Sequence, residues 1–291
     1  MASSDLESLR NTLNGDYSIT QKTNAVFDLR TIGTPEVYPL LTEAYYQNNS
    51  DLLRHEICYV LGQIGNEDCY EFLSGVLKDE TDSVINRHEA AEAMGAIGSA
   101  KFLDILRQYL DSQHQEISET CQLAIERINW LRSKEKVKNS DYLSVDPTPP
   151  FSEDYTIEQL TEIFNDTSRS LWDRYRALFS LRDIGTSEAV LVIAQGLNNP
   201  SFSNLFRHEI AFVFGQLREK AKAALPALVQ ALENPSDAYI VRHESAEAIG
   251  SITDQQEYLQ ILEKHKRDPA EPVASSCYIA LDISDYWFSS N

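Results

Sequence analysis

Four segments of the sequence carry the same triplet. RHEICYVLGQIG starts at Arg54, RHEAAEAMGAIG at Arg87, RHEIAFVFGQLR at Arg207 and RHESAEAIGSIT at Arg242. Each sets an imidazole beside a carboxylate and places a glycine (Gly62, Gly95, Gly215, Gly250) seven residues after the histidine. His55 and His88 are 33 residues apart, and His208 and His243 are 35 apart. Imidazole nitrogen and carboxylate oxygen are ligands for first-row transition metals. Two histidines and one carboxylate with open positions form the usual oxygen-activating site of non-haem iron. Each half of the chain offers such a set. No cysteine accompanies the pattern, which disfavours structural zinc. The ligand types suit iron, but manganese or catalytic zinc equally, so the set alone leaves the metal open.

The triplets have to sit on helices. At about 100° per residue, Ile57, Val60, Leu61 and Ile64 fall roughly opposite His55 on a helical wheel. Ala90, Ala93, Met94 and Ile97 oppose His88. Ile210, Val213, Phe214 and Leu217 oppose His208, and Ala248, Ile249 and Ile252 oppose His243. The expectation is that all four imidazoles face away from the core stripe of their helix, outward onto a concave surface or solvent. A lone histidine is more often a hydrogen-bonded core residue, and a polar helix face is often only solvated. The same histidine at four equivalent places favours a ligand. The following glycine either leaves room for something to approach or eases helix packing. Neighbouring helices pack about 8–10 Å apart, close enough for two imidazoles to converge on one ion.

The repetition extends beyond the triplets. NAVFDLRTIG, ending at Gly33, aligns with RALFSLRDIG, ending at Gly185, and ETCQLAIERI around Cys121 aligns with SSCYIALDIS around Cys277. A two-helix unit of this period, with turn signals at Gly65-Asn66, Gly98-Ser99, Asn199-Pro200 and Asn234-Pro235, predicts a HEAT-like solenoid. The fold class is all-α: a helical-repeat superhelix in two pseudo-symmetric halves of about four repeats each. Residues 1–132 form the N-terminal half and 157–291 the C-terminal half. The polar stretch 133–156, with three prolines, breaks the period and reads as a linker.

Composition narrows the function. The chain has 291 residues, 42% of them hydrophobic, enough for a core. Its formal charge of −20 makes nucleic acid an improbable partner and favours a cationic one. No run of 18 apolar residues and no secretory leader is visible. Cys58, Cys69, Cys121 and Cys277 lack CxxC spacing and read as buried free thiols of a reducing compartment, so the expected location is the cytoplasm.

The four His-Glu pairs on two groups of HEAT-like repeats, the segment YLSVDPTPP at Tyr142 to Pro150 and RYRALFSLRDIG from Arg174 together resemble the deoxyhypusine hydroxylases over nearly the whole chain. The first unit departs, with Lys22-Thr23-Asn24 where the second half has Arg174-Tyr175-Arg176. The resemblance implies a di-iron monooxygenase that uses dioxygen to hydroxylate the deoxyhypusine side chain of the translation initiation factor 5A precursor, giving hypusine. It implies one Fe2+ on His55, His88 and Glu89 and another on His208, His243 and Glu244. Glu56 and Glu209 would hold the ammonium groups of the substrate. A polycationic side chain is well matched by such carboxylates. The two halves would face each other across a pseudo-dyad, and that internal symmetry suggests a monomer.

Other residues carry more ordinary expectations. Glu92 and Glu247, four residues after His88 and His243, share their helix face and are expected to support the imidazoles or the packing. Tyr59 and Phe212 take that place in the other two repeats, where an aromatic contact is the simpler role. Arg54, Arg87, Arg207 and Arg242 are expected to cap or bridge helices. His114 and His265 fall outside the pattern and are expected to be exposed. Two other functions compete with the monooxygenase: a zinc or manganese hydrolase on the same scaffold, and a metal-free adaptor binding protein on its concave face.

Overall fold

The computed structural model of the chain describes residues 3–133, 135 and 140–288. Parts of the N-terminal half (1 and 2), of the expected linker (134 and 136–139) and of the C-terminal half (289–291) lie outside the described residues. Among the described residues the structure is helical, with no strand. The chain divides into two compact units, the first containing residues 1–134 and 144–147, the second 135–143 and 148–291.

The first unit stacks four helix pairs: α1 (Ser3–Asn14) with α2 (Ile19–Ile32), α3 (Val37–Gln47) with α4 (Asp51–Ile64), α5 (Tyr70–Lys78) with α6 (Val84–Ile97), and α7 (Leu103–Arg107) with α8 (Gln115–Ser133). The second helices of the pairs pack in sequence, α2 on α4, α4 on α6 and α6 on α8. The second unit repeats the plan with α9 (Ile157–Asn165), α10 (Leu171–Ile184), α11 (Ser187–Leu197), α12 (Asn204–Leu217), α13 (Leu225–Glu233), α14 (Tyr239–Ile252), α15 (Gln256–His265) and α16 (Glu271–Phe288). There α10, α12, α14 and α16 form the corresponding row. The triplets therefore lie on the two middle members of each row: α4, α6, α12 and α14.

Local chemistry sets the ends of these helices. Ser50 caps α4 by accepting the Leu53 N–H, and Ser203 caps α12 by accepting the Phe206 N–H. The chain leaves α4 through Gly65 at φ 78°, a left-handed position that favours glycine. The turn residues read from sequence act through their side chains: Asn66 accepts from Asp68 N, Ser99 from Lys101 N, Asn199 from Ser201 N and Asn234 from Ser236 N.

The arginine that opens each triplet ties its helix to the preceding one. Nε of Arg87, Arg207 and Arg242 donates to the carbonyls of Leu77, Leu197 and Leu232, at the ends of α5, α11 and α13, over 3.1, 2.5 and 3.0 Å. Arg54 Nε reaches the Tyr45 and Asn48 carbonyls. These are helix-end carbonyls without an intrahelical donor, so the capping role expected of the arginines follows directly.

The segment between the halves is anchored rather than loose where it is described. Gln63 grips the Val145 backbone on both sides: Gln63 Nε2 donates to its carbonyl (3.2 Å), and its N–H donates to Gln63 Oε1 (2.8 Å). Thr148 and Phe151 are buried. The Phe151 N–H donates to Ser180 Oγ in the second unit.

Candidate metal centre

The glycines of the triplet helices settle how closely the rows pack. A Cβ on Gly62 would lie 2.8 Å from Ala93 Cα, and one on Gly95 would lie 2.9 Å from Ala124 Cα. On Gly250 it would come 2.1 Å from the Ala280 carbonyl oxygen. Gly215 is looser, with Ala248 Cα at 3.7 Å. Of the two uses open to these glycines, three serve close helix packing. That packing draws the histidines of adjacent helices together.

Of the two settings expected for the outward-facing imidazoles, a concave surface or solvent, open solvent is corrected here. His55 and His208 are 4% and 5% exposed, and His88 and His243 are 0% exposed. A helix in the middle of a row is covered by its partner in the pair and by a neighbour on each flank. The face opposite the main apolar stripe meets polar neighbours instead of water: His55 and His88 stand ring to ring, and Ser276 of α16 lies against His243. Glu56, Glu89, Glu209 and Glu244 are likewise buried. Buried charged groups of this density require pairing or a metal.

In the first unit the His55 and His88 rings stand 5.7 Å apart. Glu89 Oε2 lies 3.1 Å from His55 Nε2 and 4.0 Å from His88 Nε2. His55, His88 and Glu89 offer one ligand atom each, all within 4.8 Å of one another. Glu56 turns to the other side of the ring, its Oε1 3.1 Å from His55 Nδ1. Burial alone would lower the His55 pKa. The charge of Glu89 and hydrogen bonds with Glu56 and Glu89 outweigh it and raise the pKa well above the ordinary value. Surroundings that favour a proton on this ring also favour a metal cation.

The second unit repeats the pair. His208 and His243 rings are 5.4 Å apart, their candidate ligand nitrogens lie within 4.8 Å, and Glu244 Oε2 is 3.5 Å from His208 Nε2. Glu209 is 2% exposed.

The flanking residues sort themselves by contact. Burial, and then the charge of Glu89, push the Glu92 carboxyl well above its usual range. Near it lies Arg127, whose own pKa burial lowers while Asp146 and Glu92 raise it. Glu247 accepts a 2.6 Å hydrogen bond from Ser276, a residue that the sequence reading did not single out. The signal available was the recurrence of a hydroxyl before a matched cysteine, Thr120-Cys121 and Ser276-Cys277. Tyr59 packs on Phe27 with ring centroids 6.3 Å apart, the aromatic contact expected of it. Phe212 is half-buried. All four cysteines are free and buried. His114 is exposed, but the expectation for His265 is corrected: its side chain is 11% exposed, and its Nδ1 lies 3.3 Å from Asp268, three residues beyond the end of α15. A histidine in a helix's last turn beside an aspartate is drawn into the ion-pair network there.

Models of HEAT repeats match residues 6–87, 53–126 and 201–282, and a PBS lyase HEAT-like repeat matches 173–199. A deoxyhypusine hydroxylase of Drosophila melanogaster is 42% identical over 274 residues, covering 94% of this chain and 89% of that protein. Relatives of the same name in Danio rerio and Saccharomyces cerevisiae are each 41% identical, covering 96% and 97% of this chain and 90% and 91% of theirs. Among solved structures, human deoxyhypusine hydroxylase in complex with glycerol superposes with a TM-score of 0.91 at 39% identity, covering 97% of this chain and 96% of that one.

Proposed function

Because the chain belongs to the deoxyhypusine hydroxylase family, we propose that this oxidoreductase is a di-iron monooxygenase that hydroxylates the deoxyhypusine side chain of the translation initiation factor 5A precursor. The observation that carries the reading is the buried set of His55, His88 and Glu89, with ligand atoms within 4.8 Å, in an enzyme whose relatives are named hydroxylases. The donor set fits iron: two neutral imidazoles and one carboxylate, with no thiolate. His55, His88 and Glu89 hold one ion, and His208, His243 and Glu244 hold the other. When bound, a pair of ferrous ions supplies the dioxygen activation that no amino-acid side chain provides.

The protein's own residues do the rest. Glu56 and Glu209 attract the ammonium groups of the substrate and orient its chain. Glu56 also steadies His55, since one of its oxygens reaches Nδ1. Close packing around the histidines excludes bulk water and strengthens each of these charge interactions. The acidic surface, at a net −20, draws in a cationic protein segment. Among the described residues no helix is long and apolar enough to cross a membrane. We place the enzyme in the cytoplasm, where its free thiols stay reduced, and take it to act as a monomer.

Elemental analysis of freshly purified protein tests this reading, together with hydroxylation of the deoxyhypusine-containing precursor measured with and without dioxygen in the presence of a two-electron reductant, which reduces the second oxygen atom to water. About two irons per chain and dioxygen-dependent product formation are expected from the two ligand sets. Glu56→Ala and Glu209→Ala should raise KM while leaving most of the iron in place. A zinc-loaded protein active without dioxygen would point to the hydrolase instead. Protein free of any stoichiometric transition metal would overturn the metal centre altogether.

A further inference from the structure

Ser276 lies on α16 and is fully buried. Its hydroxyl donates to Glu247 Oε1 over 2.6 Å, and the same oxygen stands 3.4 Å from His243 Nδ1. A serine hydroxyl has one proton. With that proton committed to the carboxylate, the oxygen can meet Nδ1 only as an acceptor. His243 must then carry its proton on Nδ1, which leaves the lone pair on Nε2. Glu247 itself is 4.0 Å from Nδ1, beyond hydrogen-bond reach, so the serine is the link between them.

The matched position in the first unit is wired differently. Thr120 precedes Cys121 as Ser276 precedes Cys277. Its hydroxyl donates instead to the Glu116 carbonyl of its own helix over 2.7 Å. A proton spent there cannot join Glu92 to His88.

We propose that Ser276, oriented by Glu247, is a positioning residue that presets His243 as the Nδ1–H tautomer with Nε2 ready for a metal ion. Hydrogen-bonded partners behind a ligating histidine fix its tautomer and orientation in just this way. The metal-binding part rests on the function proposed above, whereas the tautomer does not.

The test therefore has two arms. In metal-free protein labelled with 15N-histidine, long-range 1H–15N spectra at mildly alkaline pH should show His243 as Nδ1–H. Ser276→Ala should remove that preference. Glu247→Ala should reverse it, because the freed hydroxyl proton can then donate to Nδ1; Glu247→Gln, which keeps an acceptor oxygen, should preserve it. In the second arm, cobalt(II) is titrated into the same proteins. Ser276→Ala should weaken one of two bound equivalents by about 10- to 100-fold, and Thr120→Ala should weaken neither. If Ser276→Ala does not fold, the Glu247 pair decides the matter. An Nε2–H ring in the wild type, or a tautomer indifferent to both Ser276→Ala and Glu247→Ala, overturns the proposal. Wild type that shows the expected tautomer but takes up no cobalt would sink the metal reading and leave the positioning intact.

Discussion

The two units build the same pair of imidazoles on different supports. In the first, Glu56 lies 3.1 Å from His55 Nδ1, and Glu89 sits 3.1 Å from its Nε2. In the second, Glu244 stands 3.5 Å from His208, and the firmest support runs to His243 through a hydroxyl on the next helix. The ring separations nonetheless agree, 5.7 and 5.4 Å. Each ring needs a directed nitrogen, and a carboxylate or a hydroxyl can direct it equally well. The spacing is held by the helix row, so the supports can differ without moving the rings. The arginines that open the triplets diverge in the same manner. Arg207 and Arg242 each form a two-pronged pair with an aspartate, Asp237 and Asp268, whereas Arg54 stands 3.8 Å from Asp82 and Arg87 lies over the Tyr109 ring.

The largest expected effect tests the equivalence of the two pairs. His88→Ala and His243→Ala should each reduce activity to background, a loss greater than the roughly 100-fold ceiling typical of supporting residues. Each should also remove about half of the bound iron, read by elemental analysis. Full iron content in either variant would show that the halves do not contribute equally.

Next in size is the contrast between the arginine pairs. Asp268 and Arg242 side chains are each 5% exposed, so Asp268→Asn leaves a buried guanidinium without its counter-charge and should cost about 3 kcal/mol in urea unfolding. Asp82→Asn, opposite the longer Arg54 pair, should cost less. Burial alone would raise the Asp268 pKa, but the hydrogen bond from Arg242, with those from Ala270 N–H and His265, holds it below the ordinary value. A carboxylate depressed in the folded state stabilises fully above its unfolded pKa of about 3.9, and that contribution is lost as pH falls through the folded value. Wild type should therefore lose stability more steeply than Asp268→Asn below about pH 4. Parallel acid limbs for the two proteins would refute this assignment.

Smaller again is the effect of filling the helix contacts. Gly250→Ala must push against the Ala280 backbone and should destabilise by about 1–3 kcal/mol. Gly215→Ala meets only ordinary contacts and should gain up to about 1 kcal/mol from helix propensity. Thermal unfolding of the two single variants distinguishes them, and a shift of the same sign in both would contradict the packing described.

Much of this was legible in the sequence. The repeats, the helix ends and the pairing of the triplets followed from period and turn chemistry, because those are local or recur. Burial of the histidines was not legible, because a wheel drawn for one helix cannot show what other residues are brought against its polar face. Ser276 was hidden for a related reason. Serine and threonine are interchangeable in the repeat pattern, and only the rotamer decides whether the hydroxyl serves its own helix, as at Thr120, or the next one, as at Ser276. The grip of Gln63 on Val145 spans 82 positions in the chain and joins a helix to an irregular stretch, so no period announces it.

The smallest effect concerns a place where the repeat breaks its own rule. α4 ends on Gly65, and the equivalent end of α12 is Arg218 at φ 53° and ψ −133°, the one non-glycine residue at positive φ among the described residues. Such a conformation costs a side-chain-bearing residue about 1–3 kcal/mol. The guanidinium lies over the Trp287 ring of α16, 3.2 Å from its centroid, a contact that returns about 0.5–1 kcal/mol at a partly exposed site. Arg218→Ala keeps the strain and discards the ring contact, so it should lower stability by about 0.5–1 kcal/mol. Arg218→Gly discards both, and the greater freedom of glycine in the unfolded chain offsets part of the relief. The glycine variant should therefore exceed the alanine variant by about 1 kcal/mol. Equal stabilities in chemical denaturation would mean that the backbone at 218 relaxes once the arginine leaves, and that the Trp287 contact, rather than the helix end, holds it there.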